Sequence, residues 1–257
     1  MLTGAGCSTA SGLGDYRDVE GQWKRAQPIT GKTFTDNELA RKRYWARSSV
    51  GWPSFQNASP GLAHTALSEI EKSDKLTLLV TQNVDRLHQK AGHKNVIDLH
   101  GALETVRCLG CRQTEKRNNF QLRLIQSNPW LTELSASYAP DGDADLEIDN
   151  IAELIVPHCE HCGGLLKPDV VFFGENVPRD TVISAMDTLR KSDALVVAGS
   201  SLMVYSGFRF CREAQKHGLP IILINNGKTR ADEIATLKID GDCGERLNKL
   251  AQHINSH

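Results

Sequence analysis

The sequence predicts an α/β fold, a Rossmann-like parallel sheet with helices on both faces, on three observations. Short apolar runs end in small polar residues, and amphipathic segments lie between them; strands alternating with helices in this way form a parallel sheet covered on both sides. Two Cys-x-x-Cys pairs stand in a stretch that breaks the alternation, which adds a small zinc-binding module beside a helical insert.

Taken in order, Leu76–Val80, Val170–Phe173, Ala194–Ala198 and Ile221–Ile224 read as buried strands, and Arg179–Lys191, Gly207–His217 and Glu245–Ile254 as helices. Residues 24–59 are rich in Arg, Lys and aromatics, with a helical pattern over Asn37–Arg47, and form the helical insert. Residues 104–166 hold both cysteine pairs and the acidic run 139–150 but no strong strand; they form the zinc-binding module. Residues 1–23, 60–103 and 167–257 remain as a nucleotide-binding domain. Its start is abnormal, because Met1-Leu2-Thr3 runs straight into a glycine loop that a buried strand normally feeds. The expectation is that a native leading segment, with any targeting signal, is missing. Neighbouring strands would then have unpaired edges, and the chain would be marginally stable or weakly active. The alternative is a short strand beginning at Met1.

The 257 residues carry a formal net charge of −1, which argues against an electrostatic nucleic-acid partner. No apolar run is long enough to cross a bilayer. Seven cysteines, four of them paired by spacing, fit a reduced intracellular protein with a metal site better than a disulfide framework.

Cys108, Cys111, Cys159 and Cys162 make two knuckles, the pattern of a tetrahedral four-thiolate zinc site with no position open for chemistry. The segment between the pairs is long enough that it must carry helices of its own. Gly4-Ala5-Gly6 opens a loop whose N–H groups suit a pyrophosphate, although Thr9 stands where the dehydrogenase fingerprint has its third glycine. An ordinary tight turn is the alternative. Asp15, Tyr16 and Arg17 follow as polar candidates or as a surface turn. Gln82, Asn83 and Asp85 leave a strand end with groups suited to a ribose or a carboxamide, or else as a turn and a helix cap. His100 ends the VIDL run before a glycine, which suits a general base at a cleft edge, with a structural histidine as the alternative. Gly199-Ser200-Ser201, Asn225-Asn226-Gly227 and Cys243-Gly244 each follow a strand-like run and suit a nucleotide lying across the sheet edge.

In order, GAGCSTASGLGDYRD, TQNVDRLH, LHG, the two cysteine pairs, LKPDVVFFGE, GSSLMVYS and ILIN resemble the sirtuins, NAD-dependent protein deacylases. RYWARSSVGW and APDGD look most like the class II mitochondrial type, associated with lipoamidase and ADP-ribosyltransferase activities. The resemblance implies acyl-lysine protein substrates, NAD as co-substrate, one structural zinc ion and a mitochondrial matrix location, with cytoplasm or nucleus as alternatives. It implies His100 as catalytic base, with Asn83 and Asp85 at the nicotinamide end. Gly4, Ala5, Gly6, Asp15, Tyr16, Arg17, Gln82, Val84, Gly199 to Ser201, Asn225 to Gly227 and Cys243 would line the NAD site. Val171, Phe172, Phe173 and Gly174 would form the acyl-lysine channel. Tyr44 and Arg47, one helical turn apart, resemble the pair with which some sirtuins grip an acidic acyl group. The implied products are deacylated lysine, nicotinamide and 2′-O-acyl-ADP-ribose. Mono-ADP-ribosyl transfer from the same pocket, and an inactive NAD- or zinc-binding protein, are the competing functions. The loop departs from the usual GAGISTESGIPDYR at Cys7, Ala10 and Gly14.

Overall fold

A computed structural model of the chain describes residues 1–24, 27–134, 137–138, 144–145 and 150–256. Strands run at Leu2–Thr3 (β1), Leu79–Thr81 (β2), Val96–Asp98 (β3), Gly101–Cys108 (β4), Thr114–Lys116 (β5), Ser137–Tyr138 (β6), Ala144–Asp145 (β7), Leu166–Val170 (β8), Leu195–Ala198 (β9), Ile221–Asn225 (β10) and Leu237–Asp240 (β11). Helices are Gly31–Asp36 (α1), Glu38–Asn57 (α2), Leu62–Lys72 (α3), Leu87–Lys90 (α4), Arg117–Ser127 (α5), Arg179–Leu189 (α6), Tyr205–Lys216 (α7) and Cys243–Asn255 (α8). They fall into two compact units.

The first unit comprises Met1–Ala26, Ala58–Leu99 and Val177–His257. Its sheet has the order β11-β10-β9-β1-β2-β3, and every pairing is parallel. One face is packed by α3 and α8. Ala63, Ala66, Leu67 and Ile70 recur at helical spacing along α3, and Cys243, Leu247 and Ala251 along α8; all join one core with Leu79, Ala198 and Ile224. Leu67 and Leu247 are fully buried, each worth roughly 1.5–3 kcal/mol relative to exposure. Asp242 starts α8 by accepting the Glu245 N–H at 2.9 Å.

The expectation of a missing strand is corrected. Leu2 pairs with both Val80 and Val197, and Thr3 with Thr81 and Ala198, so a short strand, β1, lies inside the sheet. Val80 N–H donates to Met1 O at 2.9 Å, and Leu2 is fully buried. Two residues suffice because the flanking strands supply partners on both sides. The unpaired edges, and the instability expected from them, have no basis in this arrangement.

The second unit comprises Gln27–Asn57 and His100–Asn176, so the helical and cysteine-bearing segments lie in one body. Its sheet, β5-β4-β8, is antiparallel, with a register shift between Gly101 and Val106. Two sequence expectations change here. Val170–Phe173 is no strand of the parallel sheet: β8 ends at Val170 and pairs with β4. Residues 104–166 contain most of β4, whose mixed burial gives no long apolar run to read. The acidic run lies mostly outside the described residues.

The helix expected over Asn37–Arg47 continues to Asn57 through Pro53. Proline has no N–H for the Ser49 carbonyl; Gln121 Nε2 donates to that oxygen instead, at 2.9 Å. Beside it the fully buried Arg117 lies 5.3 and 5.1 Å from the ring centroids of Trp45 and Trp52. These contacts fasten α5 to α2. Among the described residues no helix is long and apolar enough to cross a membrane.

Candidate functional site

In the first unit the strand order reverses at β1, with β2 and β3 on one side and β9 to β11 on the other. Ligands in such sheets bind beyond the carboxyl ends of the strands at this switch point. Gly4–Gly6 follows β1, Gln82–Asp85 follows β2, Gly199–Ser201 follows β9, Asn226–Gly227 follows β10, and Asp242–Cys243 follows β11. Since the strands are parallel, all five segments share one edge of the sheet.

The β1 and β9 loops touch. Gly6 N–H donates to Gly199 O at 2.8 Å, and a Cβ on Gly6 would stand 2.9 Å from Gly199 Cα. A Cβ on Gly4 would reach Ser200 Cβ at 2.7 Å. These glycines are therefore fixed by backbone approach as well as by any ligand. Gln82 Nε2 donates to Ser200 Oγ at 2.8 Å and to Thr3 O at 3.2 Å. Cys243 Sγ lies 3.3 Å from Gly6 O and 3.8 Å from Cys7 Sγ.

A buried polar network sits behind the loop. Asn83 Nδ2 donates to Gly4 O at 3.1 Å and to Ser8 Oγ at 3.0 Å. Ser8 Oγ donates to Asp85 Oδ2 at 2.6 Å, while Asp85 Oδ1 accepts the Leu87 N–H at 2.9 Å. Asp85 thus acts in the network and also receives the start of α4. His64 Nδ1 accepts from Gly61 N at 3.0 Å, so Nε2 carries the proton and faces Ser8 Oγ at 3.4 Å. Burial lowers the pKa of His64 and, further, that of His88. Sequence reasoning placed Ser8 in the glycine loop without its contacts to Asn83 and Asp85, and missed His64. Ser8 had a signal in its place in the glycine loop; His64, in a plain helical pattern, had none.

Asp15, Tyr16 and Arg17 are held by their own loop. Arg17 stacks over Trp23 at 3.9 Å and donates to Gly21 O at 2.7 Å, Tyr16 meets Trp23 edge-on at 6.3 Å, and Asp15 pairs with Lys24. The loop reaches the β10 turn, where Lys228 N–H donates to Val19 O at 2.7 Å beside Gly227. Asn225 is buried and its amide turns back to Asn226 O at 3.2 Å; Val84 and Ser201 are half-buried.

In the second unit His100 is half-buried, and its carbonyl accepts the Val171 N–H at 2.8 Å. Gly101 has φ +78°, and a Cβ there would lie 2.0 Å from Asp169 O, so only glycine follows His100. Arg107 grips Asp169 through two bonds of 2.7 and 2.6 Å. The backbone from His100 to Val171 is therefore fixed. Phe172 packs at 5.3 Å from Phe34 and 5.2 Å from Tyr44, centroid to centroid. Phe173 is partly exposed, its carbonyl accepts from Gly31 N at 3.0 Å, and Gly174 has φ +83°. Tyr44 is thus brought to the Val171–Gly174 segment. Arg47, on the next turn of α2, is half-buried.

The four Sγ atoms of Cys108, Cys111, Cys159 and Cys162 lie within 4.8 Å of one another. Separations of 3.5 Å (Cys108–Cys162) and 3.7 Å (Cys111–Cys159) compare with about 3.8 Å for sulfurs tetrahedral around zinc. Gly164 fits the knuckle because a Cβ there would stand 3.0 Å from Cys108 Sγ. The donor set and spacing suit zinc, and α5 in the intervening segment is a helix of the kind its length requires.

The Sir2 family profile matches residues 4–206. An NAD-dependent protein deacetylase of Xanthomonas campestris is 56% identical over 98% of this chain and 86% of its own length. NAD-dependent protein deacetylase 2 of Bradyrhizobium diazoefficiens is 55% identical over 96% of this chain and 90% of its own. Among solved structures, Sir2 in complex with the inhibitor EX-527, 2′-O-acetyl-ADP-ribose and a deacetylated p53 peptide superposes with a TM-score of 0.78 at 29% identity, covering 100% of this chain and 93% of that one. With the profile matching well over half of the chain and relatives more than 50% identical over nearly all of it, the chain belongs to the Sir2 family.

Proposed function

We propose that the chain is an NAD-dependent protein-lysine deacylase that consumes NAD and transfers the acyl group to ADP-ribose. The observation that carries this reading is the collection of Gly4–Gly6, Gln82–Asp85 and Gly199–Ser201 at the carboxyl ends of β1, β2 and β9. In this reading Gly4 to Gly6, Gln82 to Asp85, Gly199 to Ser201, Asn225 to Gly227 and Cys243 hold NAD, with Asp15 to Arg17 closing the loop over it. Asn83 and Asp85, oriented through Ser8, face the nicotinamide. The substrate's acyl oxygen displaces nicotinamide from the ribose; His100 then removes a proton from a ribose hydroxyl, which captures the acyl carbon, and with the addition of water the lysine amine leaves. Val171 to Gly174 receive the acyl-lysine. The paired cysteines hold a structural zinc, which supplies folding energy and no chemistry. Met1–Ala26, Ala58–Leu99 and Val177–His257 serve as the NAD-binding domain, and the helical insert and the zinc module share the unit made of Gln27–Asn57 and His100–Asn176.

The class II mitochondrial placement, with its lipoamidase and ADP-ribosyltransferase activities, has its support in RYWARSSVGW and APDGD alone. The bacterial relatives favour a cytoplasmic protein deacetylase. For the acyl group, the Tyr44–Phe172 contact favours Tyr44 as part of the channel and, with Arg47 on the same helix, a dicarboxylic acyl-lysine.

The test is nicotinamide release from NAD, with and without acetyl-, glutaryl- and lipoyl-lysine peptides. Peptide-dependent release supports the reading. Release without peptide, with adenine-labelled NAD leaving its label on protein, would replace it by ADP-ribosyl transfer.

A further inference from the structure

Lys167, on β8, is 7% exposed, a rare position for an ammonium group. Its Nζ donates to Val170 O at 2.5 Å, pairs with Glu175 Oε2 at 3.0 Å and stands 4.2 Å from the Phe172 ring centroid. Glu175 Oε2 also accepts the Phe172 N–H at 2.8 Å, and Glu175 N–H donates to Phe172 O at 3.0 Å. The carboxylate is backed by Gly31, where a Cβ would lie 2.4 Å from Oε1. Both peptide groups of Phe172 are thus tied to Glu175, and Glu175 to a buried cation.

For stability alone this is a poor device, since well-packed apolar side chains often do as well as a buried ion pair. A pair of fixed direction does, however, hold a short turn in one geometry. The turn from Phe172 to Glu175 needs such help, because it has left β8 and contains Gly174 at positive φ.

We propose that Lys167 and Glu175 are positioning residues for the acyl-lysine substrate: together they fix the Phe172–Phe173–Gly174 turn and set the affinity for the acyl-lysine peptide without acting on NAD. The inference rests on the reading of Val171–Gly174 as the acyl-lysine segment.

The test compares Lys167→Met, Glu175→Gln, the double variant and Phe172→Ala in steady-state assays with NAD and the best acyl-lysine peptide. Lys167→Met and Glu175→Gln should each raise the peptide KM about tenfold, the usual weight of a charge-assisted hydrogen bond. The KM for NAD should stay within about twofold, and the double variant should be no worse than the poorer single one, because the two act as a unit. An unchanged peptide KM in folded variants, an equal rise in the KM for NAD, or additive losses would overturn the proposal. If Lys167→Met fails to fold, Glu175→Gln decides by the same readings. Phe172→Ala separates the levels: if it raises the peptide KM while the other variants do not, only this inference falls. If it too leaves the KM unchanged, the channel reading falls and takes the inference with it.

Discussion

Gly199→Ala strikes a close backbone approach between the β1 and β9 loops. Gly199 has φ +59°, which costs an alanine about 1–2 kcal/mol. The new methyl would also stand 2.6 Å from Cys7 N and 2.8 Å from Gly6 C, both backbone atoms with no rotamer in which to retreat. The loops must part, which lengthens the 2.8 Å bond from Gly6 N to Gly199 O, worth about 1 kcal/mol. The sum is about 2–3 kcal/mol. For a chain of this size that lowers Tm by roughly 4–12 °C. The assay is thermal unfolding with and without NAD, together with zinc content. We expect a lower Tm, a smaller stabilisation by NAD and unchanged zinc. An unaltered Tm with unaltered NAD stabilisation would refute the argument that the β1 and β9 loops are locked backbone to backbone.

Three further outcomes follow from other parts of the molecule. The purified protein should carry about one zinc per chain, and Cys108→Ser should lose it together with cooperative unfolding of the second unit; a metal-free wild type of normal Tm would contradict this. His64, His88 and His93 have pKa values lowered, first by burial, so the unfolded chain takes up protons that the folded one refuses. Stability is full above about pH 6.5 and falls as pH drops below it, by about 1.4 kcal/mol per pH unit for His88 alone; urea midpoints that do not move between pH 7.5 and 5.5 would exclude it. Arg47→Ala should lower turnover of a glutaryl peptide at least about tenfold more than that of an acetyl peptide, the weight of a charge-assisted contact; equal effects would remove Arg47 from acyl selection.

The sequence was most legible where strand ends meet polar groups. The runs that became β2, β9 and β10 are apolar and close on Thr-Gln-Asn, Gly-Ser-Ser and Asn-Asn-Gly, and the cysteine spacing declared the four-cysteine cluster. β1 was misread because a strand held on both sides needs only two residues, too few for a pattern. β4 was missed because its faces are unevenly buried, and the full length of α2 because Pro53 looks like a stop until Gln121 is seen covering the freed carbonyl. Ser8 and His64 work through contacts between distant segments. No local pattern announces such a contact.

In an NAD-dependent deacylase, NAD is consumed and its ADP-ribose accepts the acyl group. The most direct measurement is mass analysis of all products after incubating the protein with NAD and its preferred acyl-lysine peptide. Nicotinamide, deacylated peptide and O-acyl-ADP-ribose should form in equal amounts, and His100→Ala should yield neither deacylated peptide nor O-acyl-ADP-ribose. Free carboxylic acid formed while NAD remains intact would contradict this chemistry.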